Sequence, residues 1–117
     1  MVNKLKQIEV VRDKYGFFIH TQYLNALDQL LGEREYPTEQ EWKDLKKSLG
    51  IEVFITRFDC DAPQEVVDRY FDGKTEACAD WNPSYPNVDG DWFIISIHDT
   101  EEGAVCLWAK EALRSYK

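Results

Sequence analysis

The order of apolar and polar positions along the chain predicts a mixed α and β fold. Segments in which apolar residues alternate with polar ones, or in which β-branched and aromatic residues dominate, are expected to form strands. Turn-forming residues separate the first two such segments and also the last two, so each pair is expected to form a hairpin. The predicted strands are residues 7–12, 17–20, 51–58, 92–98 and 104–110.

Three other segments carry apolar residues at helical spacing. The clearest begins with Thr38 and Glu41, which match a capping box, because each side chain can bond the other's backbone N–H. Another follows Asp61, which is expected to cap it, and has Pro63 in its first turn, where a missing N–H costs little. The predicted helices are residues 23–31, 38–49 and 62–72.

These elements predict one α+β domain over residues 1–117. We expect an antiparallel sheet of about five strands, formed by the two hairpins and the strand at 51–58, packed with two to three helices on one face. A length of 117 residues suits a single domain, and a hydrophobic content of 44% is enough for a core. Residues 74–91 are expected to be the least regular part of the chain.

The last hairpin has one apolar face and one mixed face if His98 pairs with Ala104. Tryptophan is enriched at binding hot spots, so an exposed mixed face would make Trp92, His98 and Trp108 candidate partner-binding residues. The same face is an alternative homodimer interface, or it is covered by the segment 74–91. The mixed face carries Trp92, Ile94, Ser96, His98, Ala104, Cys106, Trp108 and Lys110.

The same register places Cys106 one cross-strand step from His98. A catalytic cysteine needs a histidine base within reach, so a cysteine-dependent enzyme is an alternative function. No residue identifiable from the sequence supplies an oxyanion hole or an orienting acid, because Asp99 points to the other face. We therefore favour a buried structural thiol and a non-enzymatic protein. The sequence has no motif for a nucleotide, a metal or another cofactor, and none is predicted.

The net charge of −8 is concentrated in one block. Residues 59–102 contain twelve acidic and two basic residues, whereas residues 1–58 are neutral overall. This balance disfavours direct binding to nucleic acid or to a membrane surface and favours a basic protein surface as the partner. Five acids in the block recur at spacings of 4, 3, 4 and 4, which would place them on one helix face: Asp61, Glu65, Asp68, Asp72 and Glu76.

This acidic row has two interpretations. It is either a partner-binding surface that occupies the site of a nucleic-acid-binding protein, or a solvated face that keeps the protein soluble. The compartment is expected to be the cytoplasm, because three widely separated cysteines do not suggest a disulfide framework. No run of about 20 apolar residues suggests a membrane span, and no apolar stretch near the start suggests a signal peptide.

Two stretches carry a resemblance to a known group of proteins. Residues 61–71 read Asp-Ala-Pro-Gln-Glu-Val-Val-Asp-Arg-Tyr-Phe, and residues 90–98 read Gly-Asp-Trp-Phe-Ile-Ile-Ser-Ile-His. With the hairpin that follows, this region resembles small acidic proteins of bacterial prophages and plasmids, over about residues 51–110. That group has no assigned activity, so it contributes no functional residue. The resemblance implies an accessory protein of a mobile element. Together with the acidic block, it suggests a more specific hypothesis, an inhibitor of a nucleic-acid-binding host defence protein.

Overall fold

The computed structural model describes residues 5–112. These residues contain one four-stranded antiparallel sheet. The strands are β1 (Phe18–Ile19), β2 (Ile51–Arg57), β3 (Phe93–Thr100) and β4 (Gly103–Glu111). Their order across the sheet is β1-β3-β4-β2, so the C-terminal hairpin lies in the middle. The predicted α+β class, the C-terminal hairpin and the strand at 51–58 are confirmed.

The predicted N-terminal hairpin is wrong. Residues 7–12 form no strand, and the short β1 pairs with β3 instead. The side chain of Arg12 explains the difference, since its guanidinium donates to the carbonyl oxygens of Gly16 (2.8 Å), Trp81 (2.7 Å) and Cys78 (2.9 Å). These charge-assisted bonds fasten the segment to the far side of the sheet, so the sheet has four strands rather than five.

The helices are α1 (Thr21–Leu31), α2 (Glu39–Leu49), α3 (Phe58–Asp61) and α4 (Gln64–Phe71), with a 3-10 helix at Thr75–Asp80. The predicted capping box of α2 is confirmed. The Glu41 backbone N–H donates to Thr38 Oγ1 (3.1 Å), and the Thr38 N–H donates to Glu41 Oε1 (2.9 Å). The α1 helix is capped by His20, whose Nδ1 accepts from the Gln22 N–H (3.1 Å).

The helix predicted at 62–72 is confirmed as α4, which begins two residues later than predicted, at Gln64. Pro63 disfavours a helical conformation at the preceding residue, and Ala62 is extended, with φ −75° and ψ 156°. Asp61 therefore ends α3 instead of capping α4. Its carboxylate accepts from Trp81 Nε1 (2.9 Å) and from the Ser84 N–H (2.9 Å), so it holds the next segment of the chain in place.

The helices cover both faces of the sheet, not one face as predicted. The α1/α2 layer packs Tyr23 and Leu45 against Leu107 of β4. The α4 layer, which consists of α3, α4, the 3-10 helix and the segment 81–92, packs Phe58 and Trp81 on the other face. Both faces of β3 and β4 are largely apolar, and each must be removed from water.

A β-bulge in β3 decides which side chains enter which layer. Phe93 and Ile94 pair with β4 in the predicted register, but Ile95 is an extra residue and the register shifts by one after it. His98 therefore faces Val105 rather than Ala104, and the turn shrinks to Glu101 and Glu102. The shift places Ile97 in the core of the α4 layer and moves Ser96 and His98 to the α1/α2 side.

Candidate functional site

The C-terminal end of α4 lies against the β3–β4 turn. The Tyr70 hydroxyl donates to Asp99 Oδ1, and Tyr70 also packs on Phe58 in the core. The Phe71 ring covers Gly103, where an added Cβ would lie 3.0 Å from the ring. Gly103 has φ +119°, a conformation that side-chain-bearing residues rarely adopt, so glycine permits both the turn and the close approach.

This contact brings together acids that are about 30 positions apart in the sequence. Asp68 and Asp72 flank Phe71 on α4, and the turn carries its own exposed carboxylates. Phe71 is 54% exposed, so an apolar ring lies beside these carboxylates at the surface. We call this surface the acidic end, and it consists of Asp68, Phe71, Asp72, Asp99, Glu101 and Glu102. Arg69 lies beside Asp68 and Phe71 and is paired with Asp80 at 2.8 Å.

The predicted acidic row does not form one continuous stripe. The carboxylate of Asp61 is occupied by its hydrogen bonds with Trp81 and Ser84, as described above. Glu65 and Asp68 are exposed on α4, and Asp72 follows at its C-terminal end. Glu76 is also exposed but lies on the 3-10 helix, after the chain has turned at Gly73. The acids that share one surface are thus a different set from the predicted one.

The two tryptophans predicted for partner binding are buried in the α4 layer. Trp92 is 8% exposed and Trp108 is 7% exposed. Tyr85 covers them, since its ring packs edge-on against Trp108 at 5.5 Å and its hydroxyl accepts from the Trp92 N–H (2.8 Å). Trp92 Nε1 donates to the Val88 carbonyl (2.8 Å). The aromatic hairpin face is therefore covered by the segment 74–91 instead of being exposed.

The prediction that Cys106 and His98 lie next to each other on one face is wrong. Cys106 pairs with Ile97 and lies in the α4 layer, whereas His98 lies on the opposite face. Burial raises the pKa of the Cys106 thiol to about 12, so the thiolate that a nucleophile needs is scarce at neutral pH. The hypothesis of a cysteine-dependent enzyme therefore lacks the Cys106–His98 adjacency on which it was based. All three cysteines are free thiols, and Cys60 is exposed.

A groove opens on the α1/α2 side of the sheet, toward the end at which the β3–β4 turn lies. Its volume is about 570 Å³. The helices contribute Tyr23, Leu27 and Trp42 to its walls, and the sheet contributes Ile55 and Leu107. Ser96 and His98 are polar groups on its floor, joined by a hydrogen bond of 2.7 Å between Ser96 Oγ and His98 Nδ1. Sequence reasoning missed this groove because the register shift that brings Ser96 and His98 to this face leaves no mark in the alternation.

The structure and the comparisons supply three further findings. Within residues 5–112, no group of three or more His, Cys, Asp or Glu side chains is arranged to hold a metal ion. None of the helices in that range is both long enough and apolar enough to cross a membrane. Comparisons with models of protein families, with curated proteins and with solved structures found no match.

Proposed function

We propose that this protein is a non-enzymatic accessory protein that binds a basic protein surface through its acidic end. The observation that supports the proposal is the contact between α4 and the β3–β4 turn, which joins separate groups of acids around Phe71. The carboxylates of the acidic end repel one another, so a cationic partner relieves a cost that the free protein carries.

The chemistry of the surface suggests the kind of partner. Exposed carboxylates raise the rate of association with a cationic surface, and Phe71 offers an apolar contact that remains when salt screens the charges. A segment with lysines or arginines around one apolar side chain would match both features. A nucleic-acid-binding protein has such a surface, so the acidic end would compete with nucleic acid for it.

The proposal keeps the wider context predicted from the sequence. The protein would act in the cytoplasm of a bacterium that carries a prophage or plasmid, where three free thiols stay reduced. It would not bind nucleic acid or a membrane itself, because its net charge is −8. The host target would be a defence protein whose nucleic-acid site the acidic end occupies.

A comparison of two variants with equal charge tests the proposal. The acid-end variant neutralises Asp68, Asp72 and Glu101, and the control neutralises exposed acids on the α1/α2 side. Each protein is immobilised, exposed to a bacterial lysate, and washed with rising salt. We expect the wild type and the control to retain the same cationic proteins, which salt releases, and the acid-end variant to lose them. The control substitutions are Asp28→Asn, Glu33→Gln and Asp44→Asn.

The same retained protein is then titrated directly. Phe71→Ala should weaken its binding without changing the dependence of the affinity on salt, because the substitution removes no charge. Retention of an identical set of proteins by the acid-end variant would contradict the proposal. So would a partner whose affinity for the wild type does not fall as salt is raised from low to physiological concentration.

A further inference from the structure

The groove on the α1/α2 side has the features of a site for a small molecule. A volume of about 570 Å³ is typical of small-molecule sites in proteins. Its walls are mainly apolar and aromatic, and its uncharged polar residues include Ser96, His98 and Thr100. Tyr36 and Ile55 at its opening are 71% and 54% exposed, so apolar surface continues from the walls to the rim.

The Ser96–His98 hydrogen bond determines which ring nitrogen of His98 carries the proton. Ser96 is 1% exposed, and within residues 5–112 its hydroxyl has Nδ1 of His98 as its only hydrogen-bonding partner. A buried hydroxyl without an acceptor would cost free energy, so the hydroxyl donates to Nδ1. The ring proton is then on Nε2, which makes that atom a donor. Burial lowers the pKa of His98, which keeps the ring neutral at physiological pH.

The Nε2 atom is available to a ligand. It has no hydrogen-bonding partner among the described residues, and the buried polar atoms without a partner there are Thr56 Oγ1 and Trp108 Nε1. Nε2 is therefore not sealed in the core, and His98 lines this groove as well as a second, more open hollow that also contains Ser96. The groove is the more enclosed of the two, and a donor in its lining is matched by an acceptor on the molecule that fills it.

The charges at the rim indicate that the ligand is neutral. Glu35 and Glu102 line the opening and disfavour an anion. Arg57 is the one cation among the described residues that line the groove, and it is paired with Asp59 at 2.9 Å. The two glutamate carboxylates at the opening are exposed, so water and salt screen their attraction for a cation, and Ser96, His98 and Thr100 of the lining are uncharged.

We propose that this groove binds a neutral, largely aromatic small molecule whose carbonyl oxygen accepts a hydrogen bond from His98 Nε2. The site lies on the opposite face of the sheet from α4 and shares Glu102 with the acidic end. The aromatic preference follows from Tyr23, Tyr36 and Trp42, which offer ring faces and edges to the ligand.

The probe for the test is 6-propionyl-2-(dimethylamino)naphthalene, a neutral fluorescent ketone. Its matched control is the 6-propyl analogue, which lacks the carbonyl oxygen and is measured by displacement of the ketone. We expect the wild-type protein to bind the ketone about fivefold to tenfold more tightly, the ratio that one neutral hydrogen bond supplies. In His98→Phe, which keeps a ring of similar size, that ratio should fall to about one.

Two measurements on the wild-type protein do not depend on the folding of a variant. Long-range proton–nitrogen spectra should show His98 protonated at Nε2, and the ketone should shift Nε2 more than Nδ1. Methyl spectra should show shifts at Leu27 and Ile55 and none at Val66, which lies in the other layer. The proposal is overturned by equal affinity for the two compounds, by no binding at the solubility limit of the ketone, or by shifts confined to the α4 layer.

Discussion

Removal of the Asp61 carboxylate tests whether this acid is a structural residue or a surface charge. In Asp61→Ala, the indole N–H of Trp81 and the backbone N–H of Ser84 both lose their acceptor. Trp81 is 1% exposed, so water does not readily replace the lost partner. A hydrogen bond to a charged group contributes about 1.5–3 kcal/mol, and the Ser84 end is exposed, so we expect a total loss of about 3 kcal/mol.

A loss of that size is a large part of the 5–15 kcal/mol that stabilises a typical domain, and it should lower the melting temperature by roughly 12 °C. The assay is urea unfolding followed by tryptophan fluorescence and circular dichroism, with an unchanged slope as the check for two-state behaviour. Asp68→Ala is the control, because Asp68 is an exposed acid on α4 and should cost less than about 0.5 kcal/mol. Equal stability of the two variants would refute the structural role of Asp61.

The pH dependence of stability provides a second check on the same residue. Burial alone would raise the pKa of Asp61, but the hydrogen bonds from Ser84 and Trp81 lower it overall. A lowered pKa in the folded state means that the carboxylate contributes stability above its unfolded pKa of about 3.9. That contribution is lost as the pH falls through the folded pKa. The difference between wild type and Asp61→Ala should therefore shrink below about pH 4.

Two further predictions concern a thiol and a turn. Cys60 is exposed and should react rapidly with a thiol reagent in the native protein. Cys106, whose pKa is raised to about 12, should react only on unfolding. A fast reaction that survives Cys60→Ser would contradict this prediction. Gly103→Ala should destabilise the protein by roughly 1–3 kcal/mol in urea unfolding, more than Gly73→Ala, because both glycines have positive φ but Gly103 alone meets the Phe71 ring. Equal losses would show that the ring contact costs nothing.

Much of the secondary structure could be predicted from local signals. The capping box at Thr38 and Glu41, the apolar spacing of α1 and α2, and the β-branched residues of β2 act within a few positions of one another. Such signals survive folding because tertiary contacts do not oppose them. The prediction fails where a side chain reaches a distant partner. Arg12 is the clearest case, because its bonds to Cys78 and Trp81 cross more than 60 positions.

The candidate sites depend on tertiary contacts even more strongly. Both faces of β3 and β4 are apolar, so alternation does not specify the register, and the bulge at Ile95 cannot be predicted from it. The predicted acidic row assumed one helix, whereas Pro63 separates Asp61 from α4. Local spacing therefore identified exposed acids such as Asp68 without showing that the β3–β4 turn would supply the rest of their surface.

The extra residue in β3 also determines how this fold tolerates changes in length. Without Ile95, the pairs on either side of it would join into one regular ladder, and Ser96 and His98 would remain on the groove side. That shortening would cost the packing of a fully buried side chain and the bond from the His20 N–H to the Ile95 carbonyl. An insertion or deletion between His98 and the turn would instead displace Asp99 from Tyr70. Homologous chains of different length should therefore vary at the bulge and keep a constant distance from His98 to Gly103.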